Sequence, residues 1–133
     1  MSRRDLFSYH ILIAQNLIAL ALALAGCGSS QFGGVHGRVT LDGEPLAGAT
    51  VEFSPEGGSP AYGVTDQDGK YQLLFSSEQQ GAPIGTNRVR ITSFNEAEPR
   101  IKERVPLKYN RKSELTRDVG RGQQEFNFDL STK

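Results

Sequence analysis

Residues 37–55, GRVTLDGEPLAGATVEFSP, restrict what this chain can fold into more than any other stretch. Val35, Gly37, Val39 and Leu41 alternate with His36, Arg38 and Thr40, and Ala49, Val51 and Phe53 alternate with Thr50, Glu52 and Ser54. A period of two with one apolar face is the pattern of a half-buried strand. Between the two runs, Asp42-Gly43-Glu44-Pro45 is turn chemistry: Gly43 tolerates positive φ, and Pro45 removes a ladder donor where pairing must stop. A lone hairpin is marginal in water, so its apolar face demands a second sheet.

The rest of the chain supplies that sheet. Tyr62–Thr65 and Lys70–Phe75 read as two strands, the second with Tyr71, Leu73 and Phe75 inward. Asp66-Gln67-Asp68-Gly69 joins them as a four-residue hairpin loop, with Gly69 in the left-handed region. After a polar loop over 76–83, residues 86–94 form a longer strand with Val89 and Ile91 inward and Arg88, Arg90 and Thr92 on a wet face. Residues 115–119 place Arg117 between Leu115 and Val119 on the apolar side, which suits an edge strand whose arginine stem snorkels outward. Gly120-Arg121-Gly122 then turns the chain into residues 125–130, with Phe126, Phe128 and Leu130 inward. Seven short strands with regular turn signals predict an all-β, seven-stranded β-sandwich of Greek-key type.

The N-terminal region does not belong to that core. Arg3 and Arg4 open a positive segment, Ile11 to Ala25 is mostly Ala, Leu and Ile, and the run ends abruptly at Gly26-Cys27. This is the pattern of a secretory signal rather than a spanning helix, with a plain N-terminal anchor as the alternative. Leu24-Ala25-Gly26-Cys27 resembles the bacterial lipobox, which implies cleavage before Cys27 and lipidation of its thiol. Residues 2–7, SRRDLF, resemble a twin-arginine export motif, so Sec and twin-arginine routes both remain open. The expected organisation is therefore a signal peptide at 1–26, a flexible Gly/Ser-rich tether at 27–34, and a β-sandwich at 35–131. Fifteen basic residues balance fifteen acidic ones, and residues 1–26 hold only Arg3, Arg4 and Asp5 among them. The mature domain thus has no field to draw nucleic acid. Cys27 is the single cysteine, so no disulfide supports the exported domain.

Gly37-x-Val39-x-Leu41-Asp42-Gly43-x-Pro45-Leu46-Ala47-Gly48-Ala49-x-Val51, followed by Thr65-Asp66-x-Asp68-Gly69-x-Tyr71, resembles the carboxypeptidase regulatory-like domains. These share the transthyretin-like (prealbumin-like) seven-stranded sandwich. Pro106-Leu107-Lys108-Tyr109-Asn110 and Phe126-x-Phe128-Asp129-Leu130 look like small lipoproteins of that type abundant in planctomycete bacteria. The likeness spans nearly all of residues 35–130. It implies a non-enzymatic accessory or adhesion module, anchored to the envelope membrane through lipid on Cys27 and facing the periplasm or the cell surface. Its expected partner is an envelope protein or polysaccharide. Arg117 departs from the small apolar residue expected of such domains at that position.

The inventory of reactive groups points the same way. His36 is the only histidine after the signal region, and alternation places it on the outer face of the first strand. A hydroxyl nucleophile normally needs a base within hydrogen-bond reach. Hydroxyisourate hydrolases of the transthyretin-like fold use several histidines, an arginine and a C-terminal Tyr-Arg-Gly-Ser, whereas this chain ends Asp129-Leu130-Ser131-Thr132-Lys133. No catalytic residue and no cofactor are expected. Asp66 and Asp68 are the nearest approach to a metal motif, but an EF-hand loop needs more oxygen ligands and a downstream Glu, so these carboxylates are expected to cap a turn. The alternative function is carbohydrate binding, with Tyr109 as the ring platform and Lys108 and Arg111 beside it; otherwise Tyr109 packs over an open end of the sandwich. The long irregular stretch 95–112 that carries them is basic, through Arg100, Lys102, Arg104, Lys108, Arg111 and Lys112 against Glu96, Glu98 and Glu103. It suits anionic lipid or polysaccharide, or simply solvent.

Overall fold

The computed structural model describes residues 30–133, so the signal-peptide and lipobox readings concern residues outside that range. In chain order the elements are β1 (Phe32–Leu41), β2 (Glu44–Pro45), β3 (Thr50–Pro55), β4 (Ala61–Val64), β5 (Lys70–Gln72), β6 (Ala82–Pro83), β7 (Gly85–Thr92), the 3-10 turn η1 (Leu107–Tyr109), β8 (Thr116–Val119), β9 (Gln123–Glu125) and β10 (Phe128–Leu130). The described part is all-β and sandwich-like, with two sheets facing each other across one core. These short segments are more numerous than the seven strands expected, and the two expected hairpins are not formed as read. β1 pairs with the two-residue β2 while β3 lies in the other sheet, and β4 and β5 also belong to different sheets, because each short connection carries the chain across the core.

The first sheet is built on β1. Along one edge β1 pairs antiparallel with β6, β5 and β2 in turn. Along the other it pairs with β9 and β10, and both of these run parallel to it, where antiparallel sheets were expected. The second sheet is antiparallel throughout, in the order β4-β3-β7-β8. Tyr62 and Leu74 exchange backbone hydrogen bonds of 2.9 and 2.8 Å, which joins the two sheets along one side. On the opposite side β8 is an edge strand, as Arg117 predicted: its guanidinium lies 4.9 Å from the centre of the Phe128 ring and covers the seam.

The alternation in the sequence decides the core. Val39, Val51, Phe53, Leu73, Val89, Ile91 and Phe128 are all buried, and Phe126, expected with them, is half-buried. Phe53 of the second sheet meets Phe126 and Phe128 of the first at centroid distances of 5.9 and 6.3 Å. Phe126 falls short because the last strand is broken there. Its N–H donates to His36 O at 2.9 Å, and its carbonyl then crosses over Gly37, where a Cβ would stand 1.9 Å from that oxygen. The Tyr71 hydroxyl donates to the same carbonyl at 2.6 Å, and Asn127 Oδ1 accepts from Arg38 N where the ladder skips. Burial pushes the Tyr71 phenol pKa up, which keeps it a donor throughout the physiological range.

The boundary of the domain also differs from expectation. Phe32, Gly33 and Gly34 belong to β1 rather than to a tether. Gly33 is a glycine for packing, since a Cβ on it would lie 1.9 Å from Gly120 O. At the other terminus the chain is held to its last residues, with Thr132 donating from N and Oγ1 to the Asp42 carboxylate at 2.9 and 2.7 Å.

The registers sort the connections onto two ends of the sandwich. The near end, where the chain enters at Gln31–Phe32, also holds the turns at 56–59, 76–80 and 120–122 and the link through Ile84. The far end holds the Asp42–Gly43 turn, the C-terminal residues and the whole of the 93–114 stretch. β1 has 10 residues, so the ends stand roughly 30 Å apart at about 3.3 Å per residue.

Candidate functional site

The far end is shaped by one carboxylate. β7 ends at Thr92, and the chain leaves through Ser93 and Phe94 before returning at Glu103. Glu103 Oε1 accepts from Ser93 N at 2.8 Å, Ser93 Oγ at 2.7 Å and Val105 N at 2.9 Å. Its Oε2 accepts from Phe94 N at 3.1 Å and from the Thr92 hydroxyl. Burial alone would raise the pKa of this acid. The donors from Thr92, Ser93 and Val105 outweigh it and bring the value down to about 2. Ser93 Oγ in turn accepts from Arg104 N at 2.7 Å. Asn110, itself buried, donates from Nδ2 to Val105 O at 3.1 Å and continues the tie into η1. Glu103 therefore ties the start of the loop at 92–94 to its return at 103–105, while the residues between them carry local turns, with Glu98 N donating to Asn95 O and Ile101 N to Glu98 O.

Between this loop and the outer face of β3 and β7 lies a hollow of about 710 Å³, lined by Glu52, Arg90, Thr92, Phe94, Leu107 and Arg111 among others. Arg90 Nη1 stands 3.5 Å from Glu52 Oε1, the one ionic contact on its floor. On the same loop Phe94, Ile101 and Leu107 are 44, 43 and 51 % exposed. Phe94 and Leu107 border the cleft, and exposed apolar groups beside charges of both signs are the make-up of surfaces that contact other macromolecules.

The residues singled out in the sequence divide accordingly. Arg111 borders the hollow. Tyr109 does not: its ring packs on the core, its hydroxyl accepts from Ser131 N at 3.2 Å, and Lys108 Nζ, 5.0 Å from its ring centre, donates to Lys133 O at 2.9 Å. Tyr109 thus closes the open end of the sandwich. Among the described residues the exposed tyrosine is Tyr62, 47 % exposed, on the outer face of β4 with Val64. Asp66 behaves as a turn cap, its Oδ1 accepting from Asp68 N and Lys70 N, both at 2.9 Å, below a Gly69 with φ of 76°. Asp68 contributes its backbone carbonyl to Arg38 Nε at 3.0 Å. No group of three or more metal-ligating side chains occurs among the described residues.

His36 lies in a second, open groove of about 890 Å³ along the outer face of β1, with Arg38, Thr40, Lys70, Glu125 and Asp129. Its Nε2 is 4.0 Å from Glu125 Oε2, and both side chains are about half exposed. This groove is the wet face that the alternation predicts, with acids and bases interleaved. Glu103 was not identified from the sequence. Its five donors lie nine to eleven residues back and two residues on, a spacing that matches no helical or strand period.

No protein-family model matches the chain, and no curated protein matches its sequence. Among solved structures, it is similar to a DUF3823 family protein from Parabacteroides merdae, at 18% identity and a TM-score of 0.43 over 77% of this chain and 47% of that one. It is also similar to a 9R-lipoxygenase from Cyanothece, at 18% identity and a TM-score of 0.39 over 77% of this chain. The chain spans less than half of the first and 16% of the second.

Proposed function

We propose that this is a non-enzymatic interaction module of the bacterial envelope, lipid-anchored through Cys27, with a carboxypeptidase regulatory-like domain of seven-stranded Greek-key descent. The observation that carries the proposal is the far-end loop, whose two ends Glu103 ties together, with Phe94 and Leu107 exposed beside a charged cleft and Ile101 exposed on the same loop. A loop whose ends are already tied loses less ordering entropy on binding, and phenylalanine and arginine, here Phe94 and Arg111, are enriched in protein interfaces. The partner is read as a protein of the envelope. Carbohydrate binding is the second reading, and the exposed ring that favours it is Tyr62 rather than Tyr109. Export and lipidation rest on the sequence pattern that ends at Cys27.

Site-specific photo-crosslinking in living cells tests the interface. A photoreactive residue at Ile101 or Leu107 should give a discrete protein adduct that one at Tyr62 does not. Glycan-array binding that is lost in Tyr62→Ala, with no adduct from the loop, would move the function to the second reading. A clickable palmitate analogue should label the wild type and not Cys27→Ser, and failure to label the wild type would remove the anchor.

A further inference from the structure

We infer that the near end of the sandwich is a membrane-contact surface whose occupant is the lipid bilayer holding Cys27, so that the far-end loop points away from the membrane. This rests on the anchor proposed above. Only Gly28, Ser29, Ser30 and Gln31 separate Cys27 from β1. That length of chain reaches about 18 Å at full stretch. Because Phe32 to Gly34 are locked into the sheet, the near end has no longer tether on which to stand clear of the bilayer.

The side chains at that end suit a lipid surface. Ile84, 37 % exposed, donates from its backbone N to Gln31 O at 3.0 Å, so it sits beside the point where the chain departs. Leu74, on the side seam just before the 76–80 turn, is 44 % exposed, and the half-buried rings of Phe32 and Phe75 lie 4.7 Å apart. The exposed charges there are Glu56, Glu78 and Arg121, without a basic excess, so the attraction is apolar and needs no anionic lipid. A patch this small would not hold the protein by itself. Tethering raises its effective concentration to the order of millimolar, and a weak contact is then enough to orient the domain. The basic far-end loop, roughly 30 Å away, lies more than three Debye lengths of about 8 Å from that surface. It is thereby withdrawn from the lipid contact that its composition alone suggested.

The chain contains no tryptophan, so a single introduced indole reports one position. Full-length protein purified from its membrane, with Ile84→Trp, Leu74→Trp or Leu107→Trp, is reconstituted in phosphatidylcholine vesicles with and without brominated acyl chains. The mass of its N-terminal peptide is read first. Bromine should quench Ile84→Trp several-fold more than Leu107→Trp, with Leu74→Trp between them, and 0.5 M salt should leave that order unchanged. Gln31→Trp, at an exposed position, replaces Ile84→Trp if the latter does not fold. A lipidated chain in which Leu107→Trp is quenched as strongly, or in which salt abolishes the difference, overturns the orientation and leaves the anchor standing. An unmodified Cys27 overturns the anchor and the orientation with it.

Discussion

The two ends of this sandwich are closed by opposite means. At the near end backbone lies on backbone: a Cβ on Gly33 would stand 1.9 Å from Gly120 O, and one on Gly81 would stand 2.1 Å from Gly33 O. At the far end a single carboxylate gathers two backbone turns and two hydroxyls. The first device works by excluded volume, tolerates no added atom and is indifferent to pH. The second tolerates changes of shape but depends on one charge. The end held rigidly by sterics is the one we assign to a featureless lipid surface. The end we propose for a specific partner carries a long loop, and one side chain ties its two ends together.

The largest expected effect tests whether the ends belong to one cooperative unit. Phe128 packs against Phe53 and Tyr71 and beneath Arg117, in the core that both ends share. Phe128→Ala should cost about 3–5 kcal/mol, a large part of a small domain's stability. Denaturant melts should show amide protection at both ends lost together. If protection at one end survives, the two ends are separate cooperative units. A smaller and sharper effect belongs to the near end. Gly33→Ala has to displace a backbone carbonyl, so it should cost close to the upper end of the roughly 1–3 kcal/mol typical of overpacking. An equally stable Gly33→Ala protein would restore the flexible-tether reading of residues 32–34.

How far each end was legible follows from the kind of contact that builds it. Strands with one buried face announce themselves by period, so Val39, Val51, Phe53, Leu73, Val89 and Ile91 were placed correctly, as was the edge strand that carries Arg117, although its guanidinium lies over the Phe128 ring rather than pointing outward. The Asp66–Gly69 turn was legible because its chemistry is local, whereas the expected hairpin was not borne out, since β4 and β5 lie in different sheets. Gly33 and Gly34 were read as flexible because a glycine that yields to a distant backbone looks, in sequence, like one that merely bends. Their partners, Gly120 and Gln123, come nearly ninety positions later. The break at Phe126 was hidden for the same reason, since it arises where the last strand crosses Gly37. Tyr109 shows the reverse: its packing over the open end was weighed as one of two outcomes, and only the Ser131 and Lys133 contacts decide between them.

The smallest effect is confined to the far end and separates the two devices most cleanly. In the folded chain Glu103 has a pKa of about 2, against an ordinary value of 4.5. Between those values the folded loop keeps a carboxylate that the unfolded chain would protonate, so the loop's stabilisation is complete above about pH 4.5 and is lost as pH falls toward 2. Amide exchange at Phe94 and Val105, both donors to Glu103, should therefore lose protection across that window after correction for intrinsic rates. Gly34 N, which donates to Gly122 O at the near end, should keep its protection until global unfolding. Asp42 adds a second report in the same direction. The Thr132 backbone and hydroxyl donors lower its pKa, so the Thr132 amide should also loosen with acid. Glu103→Gln keeps the shape of the side chain without the charge. It should open the loop at neutral pH by about 1.5–3 kcal/mol, the scale of hydrogen bonds to a charged acceptor, and flatten the acid dependence at Phe94. The melting temperature should barely move, because the loop opens locally. Acid loss at Phe94 that persists unchanged in Glu103→Gln, or that runs in parallel at Gly34, would mean that the far end is not held by this carboxylate.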